Sequence, residues 1–174
     1  MAHSHPLRES LERSARDYSR GRAIQPQRYA PFVAGYGAGV TAFAALFHRS
    51  GRHLPRAVSA ADLALLGTAT FKLSRLISRA KVTSTLRFPF TRFQEEAPGP
   101  EVSEEPRGEG LRHEIGELLT CPFCTSQWVG TALFGLYLVD QPVGRTVASL
   151  FGLLVVSDAL QYAETALHES VDRG

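Results

Sequence analysis

Cys121 and Cys124 are the only cysteines of the chain, and they stand together as Cys-Pro-Phe-Cys. Two thiols at this spacing can close a disulfide or supply two ligands to a metal ion. They are too few to frame a disulfide-rich secreted fold. A structural zinc site takes four ligands, and the nearest further candidates, His113 and Glu114, precede Cys121 by eight and seven residues. Cys121, Cys124 and His113 are therefore weak metal candidates, and neither a metal nor another cofactor is expected. Thiol chemistry would need a group that favours the thiolate. Lys72 is the nearest candidate in kind, with Asp158 as an alternative partner for its ammonium. In the plainer reading, Lys72 snorkels to the membrane surface and Asp158 takes a local hydrogen bond, while the cysteines act as small packing residues. Asp62 reads as a helix cap or an interfacial group, with ion transport as the alternative. The sequence shows no Ser-His-Asp order, phosphate-cradling glycine loop or dinucleotide fingerprint, so no catalytic residue is expected and a non-enzymatic role is favoured.

These residues must be positioned by four apolar runs. Residues 29–47 and 118–139 hold 19 and 22 residues without one charge. A spanning helix needs roughly 20 such residues, since about 30 Å of hydrocarbon is crossed at 1.5 Å per residue. Residues 57–76 carry Asp62, Lys72 and Arg75, and residues 143–163 carry Arg145 and Asp158. Their charges must snorkel or find partners. The expectation is an all-α, polytopic membrane protein with four transmembrane helices and a long cytoplasmic loop, 77–117, between the second and third. Residues 1–28 form a polar N-terminal tail, 29–163 the membrane domain and 164–174 a C-terminal tail. In this arrangement Lys72 lies about 22 Å into the second span and Asp158 about as deep in the fourth. Both approach the level of the cysteines, which lie about 5–9 Å into the third span from its cytoplasmic end.

Charge sets the orientation. With the N-terminus inside, the cytoplasmic segments hold fifteen Lys or Arg and the outer loops four. Such a bias places both termini in the cytoplasm of a cell with the chain in its inner membrane. The N-terminal residues mix Arg8, Glu9, Glu12, Arg13, Arg16 and Asp17 with few apolar ones, which is not a signal-peptide pattern. A net charge of +2 without a basic reading helix argues against nucleic acid as a partner. Within the loop, residues 77–93 alternate basic with apolar and aromatic side chains, a pattern suited to a segment lying on anionic headgroups. Residues 94–112 are rich in Glu, Pro and Gly and read as an exposed loop.

Three stretches, FKLSRLISRAKVTSTLRFPFTRF from Phe71, EVSEEPRGEGLRHEIGELLTCPFCTSQW from Glu101 and LLVVSDALQ from Leu153, carry a resemblance that extends from Gly67 to about Tyr162. By them the chain resembles a bacterial family catalogued as domain of unknown function 1360. The resemblance implies a small bacterial membrane protein and no established activity. Family members commonly look glycine-containing after the second cysteine, where this chain has Thr125-Ser126-Gln127. Cys-Pro-Phe-Cys also looks like the active-site tetrapeptide of glutaredoxins, but such a site follows a strand and these flanks read as helix. The expected function is a membrane component that packs in the lipid bilayer with itself or with a membrane-protein partner. The alternatives are a membrane dithiol protein using Cys121 and Cys124, and a small transporter or channel subunit using Asp62 and Asp158.

Overall fold

A computed structural model describes residues 26–172, together with Ser10, Arg13 and Ser14. Most of the expected N-terminal tail thus lies outside the described residues. The chain divides into two units, residues 1–42 and 43–174. Helix α1 (Ala30–Arg49) begins in the first and ends in the second, after a short 3-10 turn at Pro26–Arg28. Its first basic residues are His48 and Arg49 in the last turn, where cations suit the negative helix end. Gly51, at φ +70°, terminates the helix in a left-handed conformation that glycine adopts without steric cost.

The rest of the second unit is built on three helices. Helix α2 (Ala60–Ser78) starts at Ser59, whose hydroxyl accepts a hydrogen bond from the Asp62 amide at 3.0 Å, a capping interaction at a helix N-terminus. Helix α5 (Pro122–Val139) runs antiparallel to α2. Ser78 donates to Thr125 at one end and Tyr137 donates to Asp62 at the other. Helix α6 (Gln141–Asp172) is parallel to α2, with Arg145 beside Asp62 and Asp158 beside Lys72. The tight turn between α5 and α6 depends on Gly144, where a Cβ would meet Tyr137 Cα at 2.6 Å. Leu66, Ala69, Val129, Leu133, Tyr137 and Ala148 form the buried core among these helices.

Between α2 and α5 the chain forms a folded module. A single-turn helix α3 (Ser84–Arg87) precedes strands β1 (Thr91–Glu96) and β2 (Val102–Pro106). The strands pair antiparallel, Thr91 opposite Pro106 and Glu96 opposite Val102, with a register irregularity between Phe93 and Glu95. Helix α4 (Leu111–Thr120) then packs on this hairpin through Gly116, where a Cβ would meet Phe90 O at 2.5 Å. The hairpin is tied to the end of α2 by Val102 N–H donating to Arg79 O and Lys81 N–H to Pro100 O, both at 2.9 Å.

Four expectations change. The fold is mostly helical but not all-α, because Thr91–Glu96 and Val102–Pro106 pair as a hairpin where 94–112 was expected to be loop, although much of that stretch is exposed. Residues 77–93, expected to be part of a long loop, supply the end of α2, α3 and the start of β1. The apolar run 118–139 is two helices, broken at Cys121 with φ −102° and ψ 104°. Pro122 causes the break, since it excludes the helical region at the preceding residue and has no N–H to continue α4. Finally, residues 164–172 continue α6.

By length and composition, two helices are apolar enough to cross a membrane: α1 and the stretch Gln141–Val171 of α6. Among the described residues, the helices of the expected second and third spans do not pass that test. Helix α2 includes Asp62, Lys72 and Arg75, and the break at Cys121 leaves α5 only 18 residues, among them Thr125, Ser126 and Gln127.

Candidate functional site

Cys121 and Cys124 sit where α4 meets α5 and are joined as a disulfide. The Cys121 sulfur also accepts from the Cys124 amide at 3.2 Å, so it occupies the cap position of α5. Phe123 between them is 88% exposed. Thr125, one residue on, is buried and donates to Leu118 O at 2.9 Å. That bond, with the Ser78 contact, fixes the junction against the last turn of α2.

Lys72 gives its ammonium to Asp158. Along α2 Lys72 lies about 1.7 turns before Ser78, and its partner is Asp158 and neither cysteine. His113 lies 3.6 Å from Glu117 one helical turn on, away from the cysteine sulfurs in its contacts. Among the described residues, no group of three or more His, Cys, Asp or Glu side chains could hold a metal. The metal candidates of the sequence are therefore not gathered into a site.

At the opposite end of the helices, Asp62 is buried with its carboxylate fully engaged. Arg145 donates from Nε at 2.7 Å and from Nη2 at 2.8 Å, Tyr137 donates at 2.9 Å and Ser59 at 2.8 Å. Gln141 in turn donates to the Tyr137 hydroxyl at 2.9 Å. Arg52, in the connection after α1, donates to Val139 O. A two-pronged arginine pair of this kind gives directional as well as ionic strength. Asp62 is thus both part of the α2 cap and the point where α2, α5 and α6 are joined.

A second ionic centre was not apparent in the sequence. Arg87 is 1% exposed and lies under the hairpin. It donates to both carboxylate oxygens of Glu104, at 2.7 and 3.2 Å. It also donates to Ile77 O, Thr83 Oγ1 and Ala80 O at 2.7, 2.7 and 3.1 Å. A guanidinium has five N–H donors, and each has an acceptor here. One of those acceptors, Ile77 O, is a carbonyl in the last turn of α2 without a partner within the helix, and Ala80 O lies just beyond the helix end. Thr91 completes the centre by donating to Glu104 at 3.0 Å. Nearby, Arg75 grips Glu101 with two bonds at 3.0 and 2.6 Å. On the surface, the Lys81 ammonium, 2.7 Å from Glu96, holds that carboxyl below its usual range. The available signal was one arginine within Leu-Arg-Phe-Pro-Phe and an acidic stretch whose Glu104 comes 17 residues later, but spacing alone does not pair them.

The structure defines a mostly helical chain with two candidate membrane-crossing helices and a small hairpin module at one end of its helices. The chain belongs to the family described as Protein of unknown function (DUF1360), which it matches over residues 65–164. That range contains most of α2, the whole module, α4, α5 and much of α6, and excludes α1. No curated protein and no solved structure matches the chain.

Proposed function

We propose that this protein is a non-enzymatic, multi-pass membrane component of the bacterial plasma membrane, with α1, α2, α5 and α6 all crossing the bilayer. One observation carries the reading: beside its apolar centre the three-helix core encloses polar and charged side chains while large apolar ones lie on its outside. Asp62, Ser74, Ser78 and Thr125 are buried between helices, while Leu63, Phe71, Leu150, Leu153 and Val156 face outward and are exposed. In water this arrangement would forfeit the hydrophobic stabilisation that drives folding, whereas lipid covers outward apolar side chains and leaves polar ones to pair inside. The 19 residues of α2 and 18 of α5 give lengths of about 27–29 Å, close to the hydrocarbon thickness of about 30 Å.

The alternating directions of α2, α5 and α6 put the hairpin module on one side and the Asp62 cluster on the other. The fifteen-to-four bias of basic residues supports a cytoplasmic module and cytoplasmic termini. The charged groups of the core engage one another, Asp62 with Arg145 and Lys72 with Asp158, which favours packing over an ion path. Reporters fused after Gly51, Glu101 and Gly174 test the topology and should read outside, inside and inside. An inside signal at Gly51, or release of the protein by alkaline carbonate, would overturn it.

The joined sulfurs of Cys121 and Cys124 favour one second reading, a membrane dithiol protein. In that role a dithiol partner would be oxidised to a disulfide while Cys121–Cys124 takes up two electrons and two protons. Thiol alkylation before and after oxidant challenge tests it, and an unchanged thiol state in cells would sink it.

A further inference from the structure

The two joined cysteines are not equivalent. Cys121 is the cap residue of α5 and is half-buried, and its sulfur accepts from the Cys124 amide at 3.2 Å. Cys124 stands in the first turn of α5 and is exposed, next to Phe123. One cysteine is therefore held against the start of the helix, and the other is open to a reagent from outside.

The surroundings also treat negative charge at the two sulfurs differently. The first amides of a helix favour an anion, and a thiol placed there passes more readily to thiolate. The Cys121 sulfur already lies on one of those amides. The carbonyl end of α4 meets α5 at the same residue and would oppose such a charge, but hydroxyls answer part of it. Thr125 donates to Leu118 O at 2.9 Å and Thr120 to Gly116 O at 3.0 Å. Thr125 is itself buried and accepts from Ser78 at 2.9 Å, so α2 fixes the turn that aims the Cys124 amide at Cys121.

Resting on the dithiol reading above, we propose that exchange at this pair has one polarity: Cys124 is the sulfur a dithiol partner attacks, and Cys121 is the sulfur that leaves. A thiolate of the partner forms a bond to Cys124 Sγ. The bond between Cys121 and Cys124 breaks, and its electron pair stays on Cys121 Sγ, where the Cys124 amide receives the charge. The partner's second thiolate then attacks the partner's own sulfur in the mixed disulfide and displaces Cys124. The partner ends as a disulfide, and its two electrons and two thiol protons end on Cys121 and Cys124. Exchange is favoured where the attacked sulfur is accessible and the departing one carries charge well. At this junction both conditions select the same direction.

The test uses the full chain in detergent, oxidised with diamide and then exposed briefly to glutathione as a monothiol probe. Quenching with acid, capping of the freed thiol with N-ethylmaleimide and peptide mass spectrometry locate each group. Glutathione should be found on Cys124 and maleimide on Cys121, in several-fold excess over the reverse assignment. Glutathione chiefly on Cys121, or shared equally between the two, overturns the polarity while leaving the pair exchange-competent, so the dithiol reading stands. If diamide closes no disulfide, or neither glutathione nor dithiothreitol opens one, the dithiol reading falls and the polarity falls with it.

Discussion

At the scale of single residues, the two ionic centres carry different structural duties. Arg87 is enclosed, with all its donors used on Glu104, Thr83 and the end of α2. Arg87→Ala should destabilise the protein by about 3–5 kcal/mol, because it strands the buried Glu104 carboxylate and leaves the Ile77 carbonyl at the end of α2 without its donor. Arg87→Lys should recover only part of this, since a lysine ammonium has three donors and no planar fork. Thermal unfolding of the solubilised protein, read against wild type, checks both. Arg145 is half exposed, but Asp62 is not. Arg145→Ala should therefore cost less than the loss of Arg87 and still lower the melting temperature, and equal stability with wild type would refute the role given to Asp62. The exposed Lys81–Glu96 pair should contribute little, on the order of 0–1 kcal/mol. A depressed Glu96 carboxyl contributes above the unfolded pKa, and its contribution is lost as pH falls through the folded value. Glu96→Gln should consequently leave stability at neutral pH nearly unchanged.

At the scale of elements, close backbone approach decides which glycines tolerate a side chain. A Cβ at Gly116 would meet Phe90 O and Pro106 Cα at 2.5 and 3.1 Å, and one at Gly144 would meet Tyr137 Cα at 2.6 Å. A Cβ at Gly67 meets nothing within 4 Å. Gly116→Ala and Gly144→Ala should each cost about 1–3 kcal/mol through displaced elements, while Gly67→Ala should be neutral or mildly stabilising. Melting temperatures of the three variants rank them directly, and a tolerant Gly144→Ala would exclude the tight α5–α6 turn. The α4–α5 junction has its own test. Pro122→Ala restores the N–H and relieves the restraint on Cys121, so it should allow helix to run through 121. A rise in helical circular dichroism, with Cys121 and Cys124 less readily joined, is the expected result.

At the scale of the whole molecule, the apolar residues are divided between a small interior and a large exterior. Leu66, Ala69, Val129, Leu133, Tyr137 and Ala148 form a modest core, whereas Leu63, Phe71, Leu150, Leu153 and Val156 remain outside. Unfolding in detergent should thus leave much of the outward apolar surface covered in both states. The prediction is that transfer from detergent to water without detergent precipitates the folded protein reversibly. A monodisperse protein in water would count against the bilayer reading.

The sequence by itself indicated the long helices α1 and α2 and much of α5 and α6. Largely apolar runs favour helix because the backbone can satisfy its own polar groups there, and the runs 29–47, 57–76, 118–139 and 143–163 are read from hydropathy alone. It also marked Asp62, Lys72 and Asp158 as charges in need of partners. Tertiary structure alone decided those partners and the form of the loop. Asp62 could have capped α2 and nothing more, yet it lies 83 residues from the arginine that binds it. The acidic stretch 94–112 reads as loop because Glu, Pro and Gly are poor strand residues. It becomes a hairpin because Glu104 is drawn inward by Arg87 and Val102 by the end of α2. Cys121 and Cys124 were visible as a pair from the first reading. Only the fold showed that they mark a break between two helices, because Pro122 acts on backbone angles while hydropathy registers only an unbroken apolar run.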